Sequence, residues 1–157
     1  MNINKIQLIT SVLTNSNFVT LKIDIKLFDD GSKKGFANFN EYIRANVNKE
    51  FGVYVFFGPE KEIPIYIGMA GKLDKNSQPN QTLDERLTAA RYKNKVTDKW
   101  IMTNQWVFEI MKENKIQELF IYVFYANPNI PAAYIEAILL FEFYKKYNII
   151  PSQNSEF

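Results

Sequence analysis

Neither cysteine nor histidine occurs among the 157 residues of the chain. The first absence excludes disulfide frameworks, thiolate zinc sites and cysteine nucleophiles. The second excludes histidine-ligated metals, Ser-His and Cys-His relays, and the usual imidazole base. Chemistry in this chain must come from Tyr, Lys, Arg, Asp or Glu, or from a metal held by oxygen. No apolar run is long enough to span a bilayer, and the N-terminus shows no charged-then-apolar leader with a small-residue cleavage site. A cytoplasmic protein without membrane attachment is therefore expected. Net charge is only +2, which permits nucleic-acid binding without arguing for it.

What is present describes an ordinary folded chain. Hydrophobic residues make up 46% and charged residues 23%, and the length suits one domain with a single core. Aromatic content is high at 15%, with 13 Phe and 9 Tyr. Most such rings in a small domain are core, although base-stacking surfaces draw on the same residue types.

Two tyrosine motifs lie about a hairpin apart. Gly52-Val53-Tyr54-Val55-Phe56-Phe57 and Ile63-Pro64-Ile65-Tyr66-Ile67-Gly68 each read as a strand, with Gly58-Pro59-Glu60-Lys61 as the turn between them. Antiparallel pairing of these strands places two phenols on one surface. A phenol works as a general base when a cation or a metal-bound network lowers its pKa. Gly68 is expected to leave open space beside Tyr66.

Elsewhere the pattern predicts a first helix over residues 3–13 and a half-buried strand over residues 21–27, where apolar and charged residues alternate. Asp29-Asp30-Gly31-Ser32 marks a turn. A helix follows from Asn38 to Val47, capped by Asn38 or Asn40. After a polar loop over residues 71–81, Thr82 with Glu85 forms a capping box that opens a helix through Leu83, Leu87 and Ala90. Another helix is expected from Asp98 to Lys115, with Trp100, Met102, Trp106, Val107, Ile110 and Met111 on its apolar face. Leu119 to Tyr125 reads as a buried strand, and Pro131 opens a last helix from Ala132 to Tyr147. The expected fold is a mixed α/β (α+β) single domain over residues 1–157. A small antiparallel sheet of about three strands is flanked by helices, with residues 1–50 as an extension of a 51–157 core.

In this order the chain resembles the GIY-YIG nucleases, a family named for its two strand motifs, over Phe51 to Asn154. Gly52-Val53-Tyr54 and Tyr66-Ile67-Gly68 match the strands, and Arg86 matches the arginine of the next helix. A glutamate follows on the last helix, and Pro151-Ser152-Gln153-Asn154 matches the closing Pro-x-x-Asn. The resemblance implies a metal-dependent endonuclease acting on double-stranded DNA. Tyr54 or Tyr66 would take a proton from the attacking water, and Arg86 would stabilise the charged phosphorane. One carboxylate would hold Mg²⁺ or Mn²⁺, and Asn154 would order the site. Glu136, followed by Leu139-Leu140, is the preferred metal ligand. Glu142, about 240° away around the helix, is the alternative. Lys72, Arg91, Lys93 and Lys95 are the candidate DNA contacts, with Arg91 expected on another face of the Arg86 helix.

The chain departs from the family where many members place a lysine or histidine near these motifs. Lys72 and Tyr92 are the substitutes on offer. A restriction-type or mobile-element enzyme is the preferred reading, with a structure-directed repair nuclease or a non-catalytic nucleic-acid-binding module as alternatives. Cutting both strands with one site per chain calls for a homodimer or two successive nicks.

Overall fold

The computed structural model describes residues 17–59 and 63–154. The expected helix over residues 3–13 and part of the turn before the second tyrosine strand lie outside the described residues. The fold is a mixed α/β arrangement around a four-stranded antiparallel sheet. Its strands are β1 (Phe18–Asp24), β2 (Gly52–Phe57), β3 (Tyr66–Ala70) and, numbered eighth in the chain, β8 (Glu118–Tyr125), in the order β1-β8-β2-β3. The sheet thus has one strand more than expected, because β1 pairs along its whole length with β8 and joins the sheet of the tyrosine strands.

Alternation along the strands sorts side chains onto two covered faces. Leu21, Ile23, Tyr54, Phe56, Tyr66, Leu119, Ile121 and Val123 join one core, together with helices α1 (Lys33–Asn46), α2 (Leu83–Thr88) and α3 (Thr103–Glu113). Val53, Val55, Phe57, Ile67, Tyr122 and Phe124 face the other way, onto Ile135, Leu139, Leu140 and Phe143 of α4 (Ala132–Tyr147). Burial on both faces explains why β2 and β8 read as nearly continuous apolar runs. Gly52 allows β2 and β8 to meet closely, since a Cβ there would lie 1.9 Å from the Phe124 carbonyl oxygen.

Four expected boundaries move, each for a local reason. The alternating run of residues 21–27 stays extended only to Asp24, whose carboxylate accepts from the Lys26 N–H and starts a 3-10 segment, Ile25–Gly31. The Asn38–Val47 helix begins earlier, at Lys33. Ser32 caps it by accepting from the Gly35 N–H, so neither Asn38 nor Asn40 is the cap. The polar loop over residues 71–81 contains a short ladder of β4 (Lys72–Leu73) with β5 (Pro79–Asn80). The helix expected to run through Ala90 stops at Thr88, where the Thr88 hydroxyl donates to the Asp84 carbonyl and Ala89 turns extended.

The residues after that stop form a ribbon of β6 (Ala90–Lys93) and β7 (Trp100–Met102). Trp100 and Met102 are therefore strand residues and not part of a helix face, and α3 starts only at Thr103. The last helix has the expected bounds. Pro131 precedes it, and Asn148 in a left-handed conformation ends it. Among the described residues no helix is long and apolar enough to cross a membrane.

Candidate active site

Tyr54 and Tyr66 lie on adjacent strands and on the same face, as the motifs suggested. Tyr54 pairs across the ladder with Gly68 and Phe56 with Tyr66, and the two phenol rings stand 5.9 Å apart. Gly68 is where they meet. A Cβ there would lie 2.4 Å from Tyr66 Cε1 and 2.8 Å from Tyr54 Cζ. The space beside this glycine is filled by the tyrosine rings, so the expectation of open room for a substrate is overturned. Phe56 and Trp106 complete an aromatic cluster with centroid separations of 5.0–5.9 Å.

Arg91 occupies the middle of this cluster. Its guanidinium carbon sits 4.3 Å from the Tyr66 ring centroid and 4.1 Å from that of Trp106, and Nη1 donates to the Tyr54 hydroxyl at 3.3 Å. Stacking on two ring faces combines cation–π attraction with a fixed orientation of the planar donor fork. The residue reaches this position through a bulge. Ala90 pairs with Met102 and Tyr92 with Ile101, leaving Arg91 as the extra residue on its strand. Bulges re-aim side chains in this way. Arg91 is therefore a strand residue inside the site, not a residue on another face of the Arg86 helix.

Burial pushes the Tyr54 hydroxyl well above the ordinary tyrosine range, helped by neighbouring Tyr66. The charges of Arg91 and Arg86 oppose the shift without reversing it. Burial thus works against a cation-activated phenolate at Tyr54, which is only 1% exposed. Burial also works against the Arg91 charge, but the two tyrosine hydroxyls outweigh it and hold the guanidinium above its usual value. Tyr66 is 8% exposed and remains the phenol nearer to solvent.

Glu136 projects from α4, the helix on the opposite sheet face. Because α4 packs against β3, the edge strand, the carboxyl is within electrostatic reach of the tyrosine side. Burial raises its pKa above the usual carboxylate range, against the lowering influence of Arg86, Arg91 and Lys72. Leu139 and Leu140, both buried, fix this part of α4 on the sheet. Glu142 is half-buried on the same helix.

Asn154 acts on the backbone. The Ile67 N–H donates to its Oδ1 at 3.0 Å, and its Nδ2 donates to the Ile67 carbonyl at 2.8 Å. Gln153 N–H adds a bond to the Ile65 carbonyl at 3.0 Å. The closing segment thereby covers the open edge of β3 and holds the strand that carries Tyr66. Around α2, Glu85 accepts from the Thr82 N–H at 2.9 Å and Asp84 accepts from the Thr82 hydroxyl at 2.6 Å. Both acids therefore serve the cap. Among the described residues the ion pairs are Lys22–Glu118 and Lys93–Asp98, so neither arginine is paired with a carboxylate. Lys72 is exposed on β4, while Lys93 and Lys95 lie out on the ribbon.

Among the described residues no group of three or more acidic side chains could hold a metal ion. Glu136 offers one hard oxygen donor, a type that suits Mg²⁺ or Mn²⁺ coordinated mostly by water and phosphate oxygens. The charges of Arg86, Arg91 and Lys72, which act on the same carboxyl, work against a divalent ion resting there without further anionic ligands. Comparison with family models, curated proteins and solved structures gives no match to this chain.

Proposed function

We propose that the chain is a GIY-YIG-type endonuclease that hydrolyses phosphodiester bonds of double-stranded DNA with Mg²⁺ or Mn²⁺, in a restriction or mobile-element setting. The supporting observation is the charge arrangement. Arg86 from α2, Arg91 from the bulge and Lys72 from β4 all act on one partly buried carboxyl, Glu136. Three cations around one acid leave a local excess of positive charge beside a pair of phenols, which suits an anionic phosphodiester.

In this reading Arg86 binds a non-bridging oxygen and stabilises charge as the phosphorane forms. Tyr66, the more accessible phenol, receives the proton of the attacking water, directly or through a second water. Tyr54 orients Arg91. Glu136 would hold the metal ion, which would supply Lewis-acid stabilisation of the charge developing on the leaving group. Asn154 keeps β3, and with it Tyr66, in place.

The test is incubation of purified protein with mixed plasmid and phage DNA, with Mg²⁺ or EDTA, followed by mapping of the ends. Defined fragments that require the metal and disappear in Arg86→Ala and Glu136→Ala are expected. Robust cutting that survives both substitutions would refute the site assignment.

A further inference from the structure

The β6–β7 ribbon leaves the site and carries a charge pattern found nowhere else in the chain. Residues 91–100 hold four cations (Arg91, Lys93, Lys95 and Lys99) against the single acid Asp98, a local +3 in a chain whose total is +2. Apolar side chains interleave with these charges. Val96 at the tip is 93% exposed, Trp100 is 61% exposed, and Tyr92 is exposed as well. Lys93 pairs directly with Trp100 across the ladder, so these two share one face of the ribbon.

The tip has a fixed shape. Asn94 Oδ1 accepts from the Val96 and Thr97 N–H groups at 2.9 and 3.0 Å, and its backbone closes the loop by bonds with Asp98 and Lys99. The Lys93–Asp98 ion pair, at 2.6 Å, ties the end of β6 to the loop before β7. Among the described residues Lys95 and Lys99 have no ion-pair partner. A preorganised hairpin with an apolar tip and two unpaired lysines pays little ordering entropy on docking.

We infer that the β6–β7 ribbon is a nucleic-acid-binding arm that enters a groove of duplex DNA beside the site, an inference that rests on the nuclease reading. A two-stranded ribbon fits the major groove of B-form DNA. Lys95 and Lys99 contact phosphates on the groove walls. Val96 and Trp100 present apolar surface to base edges, where a thymine methyl is the complementary group. The opposite end of the ribbon supplies Arg91 to the site, so docking of the arm and placement of a phosphate are linked through one short element.

The experiment measures affinity for a labelled duplex by fluorescence anisotropy in EDTA over a series of salt concentrations. Wild type is compared with a Lys95→Ala/Lys99→Ala chain and a Val96→Ser/Trp100→Ser chain, with thermal melting as the check of folding. The lysine variant should bind more weakly, with a slope of log K against log salt shallower by roughly 2. The Val96/Trp100 variant should lose affinity with little change of slope. Unchanged affinity and slope in both variants would overturn the arm, even if the wild type cuts DNA. Ribbon-dependent binding by a wild type that never cuts would overturn the nuclease reading and leave the arm standing. Wild-type binding to an acidic polypeptide but not to duplex would overturn the arm as a nucleic-acid element.

Discussion

Tyr54→Phe separates a proton acceptor from a positioning group. The substitution removes one oxygen and keeps a ring that packs 5.7 Å from Phe56 and 5.9 Å from Tyr66. If the Tyr54 hydroxyl were the general base, its loss would cost roughly 10²–10⁴-fold in kcat. The structure argues for far less. An ordinary phenol is ionised to about one part in a thousand at pH 7, and burial holds Tyr54 above even that ordinary value. What the substitution removes is the acceptor of one Arg91 N–H at 3.3 Å. A hydrogen bond to a charged group contributes about 1.5–3 kcal/mol. Arg91 is only half-buried, so water replaces part of the lost bond and about 1 kcal/mol remains. That is roughly a fivefold loss in kcat/KM.

Steady-state cleavage of a labelled duplex should therefore show Tyr54→Phe within about fivefold of wild-type kcat and Tyr66→Phe reduced about a hundredfold or more. Stability against pH provides an independent readout. Folding raises the Tyr54 pKa, so its contribution is whole below the unfolded value near 10 and is lost as pH rises above about 10. Denaturant unfolding from about pH 9 to 11 should show that decline, shallower in Tyr54→Phe. Tyr122, also raised by burial, retains part of it. A hundredfold fall in kcat for Tyr54→Phe with unchanged stability would refute the reasoning.

Gly68→Ala places a methyl 2.4 Å from one buried tyrosine ring and 2.8 Å from the other. Phe56 packs against both rings and Trp106 against that of Tyr66, so the expected cost is about 1–3 kcal/mol, or roughly 3–10 °C in melting temperature for a chain of this size. A melting temperature equal to that of wild type would show that the rings can yield. Glu136 carries a raised pKa, so its stabilising contribution is whole below the unfolded carboxyl pKa and is lost as pH rises through the folded value. Glu136→Gln should melt at or above the wild-type temperature at neutral pH while losing metal-dependent cleavage, and Glu142→Gln should retain cleavage. Loss of cleavage in Glu142→Gln alone would move the metal ligand to that residue.

Strong local signals made much of this arrangement legible in the sequence. Pro131 before α4, the Thr82–Glu85 box and the paired tyrosine strands each fix a local geometry, and each element appears where its residues point. Arg91 was misplaced because Thr88-Ala89-Ala90 reads as a continuing helix. The competing bond from the Thr88 hydroxyl to the Asp84 carbonyl leaves no mark on apolar periodicity. A signal for the ribbon did exist. β-prone Tyr92, Val96, Trp100 and Ile101 flank Asn94 and Asp98, a turn composition that competes with the helix reading of residues 98–102. The role of Gly68 was also unreadable from its own strand, because the ring that fills half of its space belongs to Tyr54 on the neighbouring strand.

The bulge matters beyond the misplaced residue. In an unbroken ladder Arg91 would pair with Ile101, and its direction would be set by simple alternation. Instead the extra residue turns its guanidinium between Tyr66 and Trp106 while Lys93 and Trp100 remain paired farther out. One short ribbon thereby serves two surfaces with opposite needs. Its base contributes a cation that is stacked, half-buried and fixed, as a transition-state contact of the proposed nuclease requires. Its tip keeps unpaired lysines in water, where their attraction to phosphate is screened by salt and affects association more than chemistry. In the proposed nuclease, changes at the tip should therefore appear in duplex affinity and its salt dependence. Changes at Arg91 should persist at saturating DNA.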